Sequence, residues 1–171
     1  RDEMDDMRRF MEITIKKVRA PLMIDSTDEK VIAMALTYCQ GKAIINSIMA
    51  RPERMDGMMP LVKKYDADMI GLMWGPEGMP RDEHERGMLT AEILAKAAEY
   101  DIENERIWFD PIIAPLNIQQ NQLIATLEYM QMLQDMAPGA KSTCGLSNCS
   151  SGVPDELRPI INRAYVIMLQ R

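Results

Sequence analysis

The stretch Ile107-Trp-Phe-Asp110 places a carboxylate at the end of a short apolar run, and similar runs elsewhere are also followed by polar side chains. Pro21-Leu-Met-Ile24 is followed by Asp25, Ala43-Ile-Ile45 by Asn46, and Cys144-Gly-Leu-Ser147 by Asn148. Short apolar runs that alternate with longer helical patterns are typical of βα units around a parallel sheet. Because ligands of such sheets bind beyond the carboxyl ends of the strands, we expect these polar groups to gather at one mouth.

The spacing of the apolar runs predicts an α/β fold with five strands, at 21–24, 43–45, 69–72, 107–109 and 142–145. A complete TIM (β/α)8 barrel takes about 250 residues, whereas this chain has 171. The chain begins at Arg1 inside one helical pattern and ends at Arg171 inside another. We therefore expect a partial barrel whose two ends are both cut.

Apolar residues between the predicted strands recur at helical spacing. The stripes include Met4, Met7, Met11 and Ile15; Met55, Met58, Met59 and Val62; Leu89, Ile93 and Ala97; and Ile160, Ile161, Ala164, Tyr165 and Met168. Stripes of this kind indicate helices that cover a sheet, so the 17 methionines are expected to fill the core rather than bind metal. Ser26 and Glu29 have the spacing of a capping box, which predicts a helix start just after the first strand.

The composition excludes two classes of partner. The chain is 47% apolar and 27% charged, with a net charge of -6 and no basic run beyond the small cluster Lys16, Lys17 and Arg19, so a nucleic-acid partner is not expected. It has no stretch of about 20 apolar residues that could span a membrane. The expected compartment is the cytoplasm.

The cysteines and the single histidine predict no metal site. Cys39, Cys144 and Cys149 lack C-x-x-C spacing and are interpreted as reduced thiols. Cys144 and Cys149 flank the predicted mouth, where packing is the expected role and a reactive or metal-binding role is the alternative. His84 lies in an acidic run and is expected to be solvated.

Among these polar groups, Asp110 has the strongest need for a hydrogen-bonding partner, because an unpaired carboxylate at the end of a buried strand is costly. A ligand with an N–H edge would satisfy it. Gly145 allows a backbone to approach a ligand closely, and the Asn148 amide both donates and accepts.

Several segments, taken together and in order, resemble successive motifs of the pterin-binding methyltransferases. They are Ile24-Asp-Ser-Thr27, Ile45-Asn-Ser47, Phe109-Asp-Pro-Ile112, Gly145-Leu-Ser-Asn-Cys-Ser150 and Arg158-Pro-Ile-Ile-Asn-Arg163. The likeness covers nearly the whole chain and is closest to the methyltetrahydrofolate:corrinoid/iron-sulfur protein methyltransferases.

This resemblance implies a TIM barrel that moves the N5 methyl group between methyltetrahydrofolate and the cobalt of a corrinoid protein. Residues 1–171 would then be part of a single pterin-binding barrel domain, supplying its third to seventh strands, with the first two strands and the last outside this chain. The chain has no Asp-x-His-x-x-Gly motif for cobalamin. The corrinoid is therefore expected on a partner protein, docked on a homodimer of the enzyme.

The resemblance also implies roles for individual residues. Asp25, Asn46 and Asp110 match positions that hydrogen-bond the pterin ring, and Asn148 matches a catalytic asparagine near pterin N5. Ser151 matches a further pterin-binding position, where relatives have a glutamine, and its side chain is shorter.

Two other functions stay open at this stage. A dihydropteroate synthase would share the barrel and the pterin pocket, but the Lys and the Ser-Arg pair expected near its seventh strand do not occur around Gly145-Leu-Ser-Asn148. A non-catalytic pterin-binding or structural module is the third possibility. The loop Trp74-Gly-Pro-Glu-Gly-Met-Pro80 either borders the corrinoid entrance or serves as a rigid connection.

Overall fold

The computed structural model describes residues 2–170, which form six α-helices and five β-strands; Arg1 and Arg171 lie outside the described residues. The helices are α1 (Glu3–Thr14), α2 (Glu29–Leu36), α3 (Pro52–Lys64), α4 (Glu83–Glu99), α5 (Gln120–Met136) and α6 (Arg158–Leu169). The strands are β1 (Met23–Ile24), β2 (Ile44–Met49), β3 (Asp68–Leu72), β4 (Ile107–Asp110) and β5 (Lys141–Ser142). Two short 3-10 helices span Asn104–Arg106 and Leu146–Ser150.

All five strands lie parallel in one sheet, in the spatial order β1-β2-β3-β4-β5. Spatial order equals chain order, as in a barrel, whereas a doubly wound sheet reverses its order at a switch point. The alternation of strands with helices confirms the predicted α/β fold, and the five-stranded parallel sheet is a partial TIM barrel.

The outer face of the sheet forms the core beneath the helices. Ile45, Met69 and Phe109 are 0% exposed. Ile45 and Phe109 alternate along β2 and β4 with partly exposed residues such as Trp108 on the inner face, whereas β3 is buried on both faces from Asp68 to Gly71. Helices contribute Met55, Met58, Met59 and Val62 from α3, with Ile93, Ala97, Tyr129 and Leu133 from α4 and α5. The interpretation of these methionine stripes as core is confirmed.

The last stripe, on α6, is buried less than the sequence predicts. Tyr165 is buried, but Ile160 and Met168 are 62% and 49% exposed. The reason is that α6 packs mainly on the 3-10 helix at Leu146–Ser150 and not on the sheet.

The capping box predicted at Ser26 and Glu29 is wrong. Asp28 is the N-cap of α2, and its Oδ1 accepts from the Lys30 N–H at 2.8 Å. The Ser26 hydroxyl instead accepts from the Asp28 N–H at 3.0 Å and donates to Glu3 of α1. Ser26 therefore closes the turn before the helix and ties that turn to α1.

Within residues 2–170, no helix has the length and apolar character needed to cross a bilayer.

Two methionines provide a matched test of the core. Met58 is 0% exposed and Met88 is 64% exposed. We expect Met58→Ala to lower the free energy of unfolding by about 2–5 kcal/mol, because it leaves a cavity among packed side chains. Met88→Ala should change it by less than about 0.5 kcal/mol.

Chemical denaturation of the full-length protein measures both changes. Equal effects from the two variants would show that the core does not lie between α3 and the sheet.

Candidate functional site

Asn46 lies inside β2 and not beyond it as the sequence predicts. Ile45 pairs with Met69 and Ile48 with Gly71, so Asn46 and Ser47 together face the single residue Ile70. This is a β-bulge, and Ser47 takes up the irregularity with a φ of 54°. The extra residue lets Ile45 and Ile48, which are three positions apart, both point into the core with 0% exposure.

The bulge leaves Asn46 on the inner face of the sheet, next to Asp25. Ile24 pairs with Ile45, so Asp25 and Asn46 are the next residues along two adjacent strands. Asn46 is half-buried and Asp25 is exposed beside a cavity of about 840 Å³ between α1 and β1. Within residues 2–170, neither side chain has a hydrogen-bond partner, although the Asp25 charge acts on Arg54. These two polar groups are therefore brought together as predicted.

Asp110 is the last residue of β4 and shapes the turn that follows. Its Oδ1 accepts from the Ile112 N–H at 2.9 Å, and Ile112 has a φ of 62°. Burial raises the pKa of Asp110, and the Ile112 hydrogen bond lowers it by less. The partner that a carboxylate at the end of a buried strand requires is thus supplied in part by the next turn of the chain.

Asn148 and Ser151 lie in and directly after the 3-10 helix Leu146–Ser150. Asn148 is exposed, and its Nδ2 lies 2.9 Å from the point that a Cβ on residue 145 would occupy, so Gly145 makes room for the amide. Ser151 turns back on its own segment, with its Oγ 3.5 Å from the Ser147 carbonyl. The Ser151 hydroxyl therefore lies close to its own backbone.

Hydrogen bonds join the segment after β5 to the loop after β4. The Leu116 N–H donates to the Cys149 carbonyl at 2.9 Å, and the Cys149 Sγ donates to Asn162 Oδ1 at 3.3 Å. Burial raises the pKa of the Cys144 thiol, and the charge of Asp110 raises it further. The Asp110 carboxylate and the segment that carries Asn148 are therefore neighbours at the carboxyl end of the sheet.

The three thiols are free and His84 is exposed, as the sequence predicts. All three cysteines are free, and burial raises the pKa of each thiol, which favours packing over reactivity at neutral pH. The His84 side chain is 79% exposed, with its Nδ1 2.8 Å from Glu83 Oε1. Asp82, Glu83 and His84 do cluster, but Asp82 caps α4 by accepting from the Glu85 N–H at 2.9 Å.

The loop after β3 folds as a short hairpin. Gly75 and Gly78 exchange backbone hydrogen bonds of 2.9 and 3.0 Å, and Gly78 adopts a φ of 96°. The Arg51 Nε donates to the Gly75 carbonyl at 3.0 Å. These contacts favour the interpretation of this loop as a rigid connection.

Three arginines that sequence reasoning missed fasten the loops at this end of the sheet. Arg54 donates to the carbonyls of Ser26 and Thr27, at 2.7 Å each, and Arg51 donates to Gly75. Arg86 is 0% exposed, and its Nε donates to the Pro111 carbonyl at 3.0 Å. The sequence did contain a signal for Arg86, since positions 86, 90, 93 and 97 continue the buried stripe of α4.

Comparison with known proteins shows similarity along the chain. The family described as "Pterin binding enzyme" matches residues 1–162. A methylcorrinoid:tetrahydrofolate methyltransferase of Eubacterium limosum is 23% identical over 168 residues, which cover 97% of this chain and 61% of that protein.

Two methionine synthases are also similar. The protein of Mycobacterium tuberculosis is 24% identical over 176 residues, covering 97% of this chain and 15% of its own length. The protein of Mycobacterium leprae is 24% identical over 156 residues, which cover 85% of this chain and 13% of that protein. The chain thus spans less than two thirds of each of these relatives.

The raised pKa of Asp110 predicts a pH-dependent effect of Asp110→Asn on stability. The folded state binds the Asp110 proton more tightly than the unfolded state, whose carboxyl pKa is about 3.9. The wild type therefore loses stability as the pH rises from the unfolded-state pKa of Asp110 through its higher folded-state pKa. Asparagine keeps an acceptor for the Ile112 N–H but carries no charge, so we expect the variant to be more stable than wild type at about pH 8 and not at about pH 3.

Denaturant unfolding of both proteins across this pH range measures the difference. If the difference in unfolding free energy between Asp110→Asn and wild type did not change with pH, burial would not be the cause of the raised Asp110 pKa.

Proposed function

Because this chain belongs to the family of pterin-binding enzymes, we propose that it carries the pterin site of a methyltransferase that acts between a tetrahydrofolate and a corrinoid protein. The similarity to a methylcorrinoid:tetrahydrofolate methyltransferase supports this proposal, since it extends over nearly the whole chain. The observation that carries it is the placement of four polar side chains on one parallel sheet. Asp25, Asp110 and Asn148 lie at or beyond the carboxyl ends of β1, β4 and β5, and Asn46 lies beside Asp25 on the inner face of β2.

The proposed pterin ring binds through its polar edge. Pterins present amide and amino N–H donors next to acceptors, and carboxylates are suited to the donors. Asp25 and Asp110 would accept from these groups, while the Asn46 amide would bond to a mixed edge. Asp110 makes one described hydrogen bond, from Ile112, through Oδ1, which leaves Oδ2 for a ligand. Ser151 is proposed as a weaker contact, because its hydroxyl already lies near Ser147.

Asn148 is proposed to act at pterin N5. A tertiary amine is a poor leaving group until N5 gains a proton or a stronger hydrogen bond, and the Asn148 amide can donate one that strengthens as charge develops. When the methyl carbon leaves N5, the electron pair of the broken bond stays on nitrogen, where this donor stabilises it. His84 is exposed next to Glu83 and has no part in this step.

The corrinoid belongs to the partner protein in this proposal and supplies the cobalt centre that exchanges the methyl group. Methyltetrahydrofolate or tetrahydrofolate is then the substrate bound by this chain. We further propose that the protein works as a cytoplasmic homodimer on which the corrinoid protein docks at the mouth of each barrel.

Asp110→Asn should weaken tetrahydrofolate binding by about tenfold or more, because a hydrogen bond to a charged group contributes about 1.5–3 kcal/mol. Isothermal titration of the full-length protein measures this affinity. Asp101→Asn is the matched control, since Asp101 has a side chain 85% exposed and lies in the loop before β4, at the opposite end of the sheet.

Because Asp110→Asn is expected to be at least as stable as wild type at neutral pH, lost binding in this variant cannot be attributed to unfolding. An affinity equal to that of wild type would remove Asp110 from the site. A folded wild type that binds no tetrahydrofolate would favour a structural module.

Asn148→Ala should separate binding from catalysis. We expect tetrahydrofolate affinity to change by less than about tenfold, while the rate of methyl transfer with a methylated corrinoid protein falls by about 100-fold or more. Asn104→Ala, at the amino end of β4, should leave both unchanged.

Unaltered transfer by Asn148→Ala with pterin still bound would contradict the proposed role of Asn148.

A further inference from the structure

Arg86 is a buried cation whose hydrogen-bond partners are all neutral, although the charges of Asp82 and Glu83 act on it from the same end of α4. Its Nε donates to the Pro111 carbonyl at 3.0 Å, its Nη1 to the Asp82 carbonyl at 3.1 Å, and its Nη2 to Gln122 Oε1 at 2.8 Å. Among residues 2–170, no carboxylate lies within ion-pair distance of its guanidinium. Burial accordingly lowers the pKa of Arg86, although an arginine stays charged at neutral pH.

Helix packing alone does not account for this residue. Burying a charge is costly, and well-packed apolar residues of similar volume often replace buried charges without loss of stability. An arginine at position 86 therefore indicates a role that requires the planar guanidinium with its several N–H donors.

The peptide unit between Pro111 and Ile112 is held at both of its polar ends. Arg86 donates to the Pro111 carbonyl oxygen of this unit, and the Ile112 N–H at the other end donates to Asp110 Oδ1 at 2.9 Å. Since the two atoms belong to one rigid plane, the orientation that Arg86 gives the carbonyl also sets the direction of the N–H. A cation at the oxygen further polarises the peptide and strengthens the hydrogen bond that reaches Asp110.

The backbone at this turn needs such support. Ile112 is β-branched and has a φ of 62°, a left-handed conformation that costs roughly 1–3 kcal/mol and persists only when the surroundings enforce it. Pro111 fixes its own φ but has no N–H with which to hold the turn.

Gln122 extends the same hydrogen-bond network to the preceding loop. Its Oε1 accepts from Arg86, and its Nε2 donates to the carbonyls of Pro80 and Arg81 at 3.1 and 2.8 Å. The loop before α4, the turn after β4 and the first turn of α5 therefore meet at the Arg86 guanidinium.

We propose that Arg86 is a positioning residue of the pterin site, which holds the Pro111–Ile112 peptide so that the Asp110 carboxylate points at the ligand. The ligand part of this inference rests on the proposed function. The contact between Arg86 and the turn does not.

The test uses the full-length protein with Arg86→Met, which keeps an unbranched chain but removes the charge and the donors. The matched control is Arg106→Met, because Arg106 also donates to backbone carbonyls, those of Val62 and Ala67, but at the amino end of the sheet. Carbon-13 NMR titration measures the pKa of the Asp110 carboxyl, and hydrogen exchange measures the exchange rate of the Ile112 amide.

Arg86→Met should raise the pKa of Asp110 further, speed exchange of the Ile112 amide by about tenfold or more, and weaken tetrahydrofolate binding by about tenfold. Combined with Asp110→Asn, it should add little to the loss of affinity, because both changes remove the same interaction. Arg106→Met should leave all three quantities at their wild-type values even if it lowers stability.

An Asp110 pKa and an Ile112 exchange rate that are unchanged in Arg86→Met would overturn the proposal, whatever happens to affinity. If wild type binds no tetrahydrofolate, the proposed function fails, but these two readouts still decide whether Arg86 positions Asp110. Should Arg86→Met not fold, Arg86→Lys answers the same question, since it keeps the charge but loses the fork that reaches Pro111 and Gln122 together.

Discussion

The structure depends on burying the outer face of a sequentially wound parallel sheet beneath helices. Ile45, Met69 and Phe109 on that face are fully buried against the methionine-rich stripe of α3 and the inner sides of α4 and α5. Because all five strands run parallel, their carboxyl ends lie on the same side of the sheet. Polar groups that follow the strands are thereby collected at one end, whatever their separation in sequence.

The same constraint explains the bulge in β2. Two fully buried isoleucines, Ile45 and Ile48, are three residues apart, and a regular strand would point them to opposite faces. An added residue resolves the conflict, at the cost of an unusual backbone at Ser47. The burial of outer-face side chains thus decides the backbone next to Asn46.

Arginines that donate to backbone carbonyls also stabilise the loops at the carboxyl end of the sheet. Loops that leave the strands carry backbone acceptors with no partner in the sheet, and Arg51, Arg54 and Arg86 supply donors to them. Each arginine projects from the start of α3 or the first turns of α3 and α4 onto a neighbouring loop, so adjacent βα units are joined by hydrogen bonds as well as by packing. The loops that carry the candidate site are consequently tied to the helices of the scaffold.

Local pattern in the sequence determined the alternation of strands and helices, the buried methionine stripes and the polar groups at the strand ends, because each depends on periodicity over a few residues. It did not determine that Asp28 rather than Ser26 caps α2, since the Ser26 hydroxyl is occupied by a bond to Glu3 of α1. Nor did it determine the continuation of β2 through Asn46, the weak burial of α6 or the contact of Arg86 with Pro111. Only the tertiary structure decided these features, because each follows from a contact between segments that are distant in sequence.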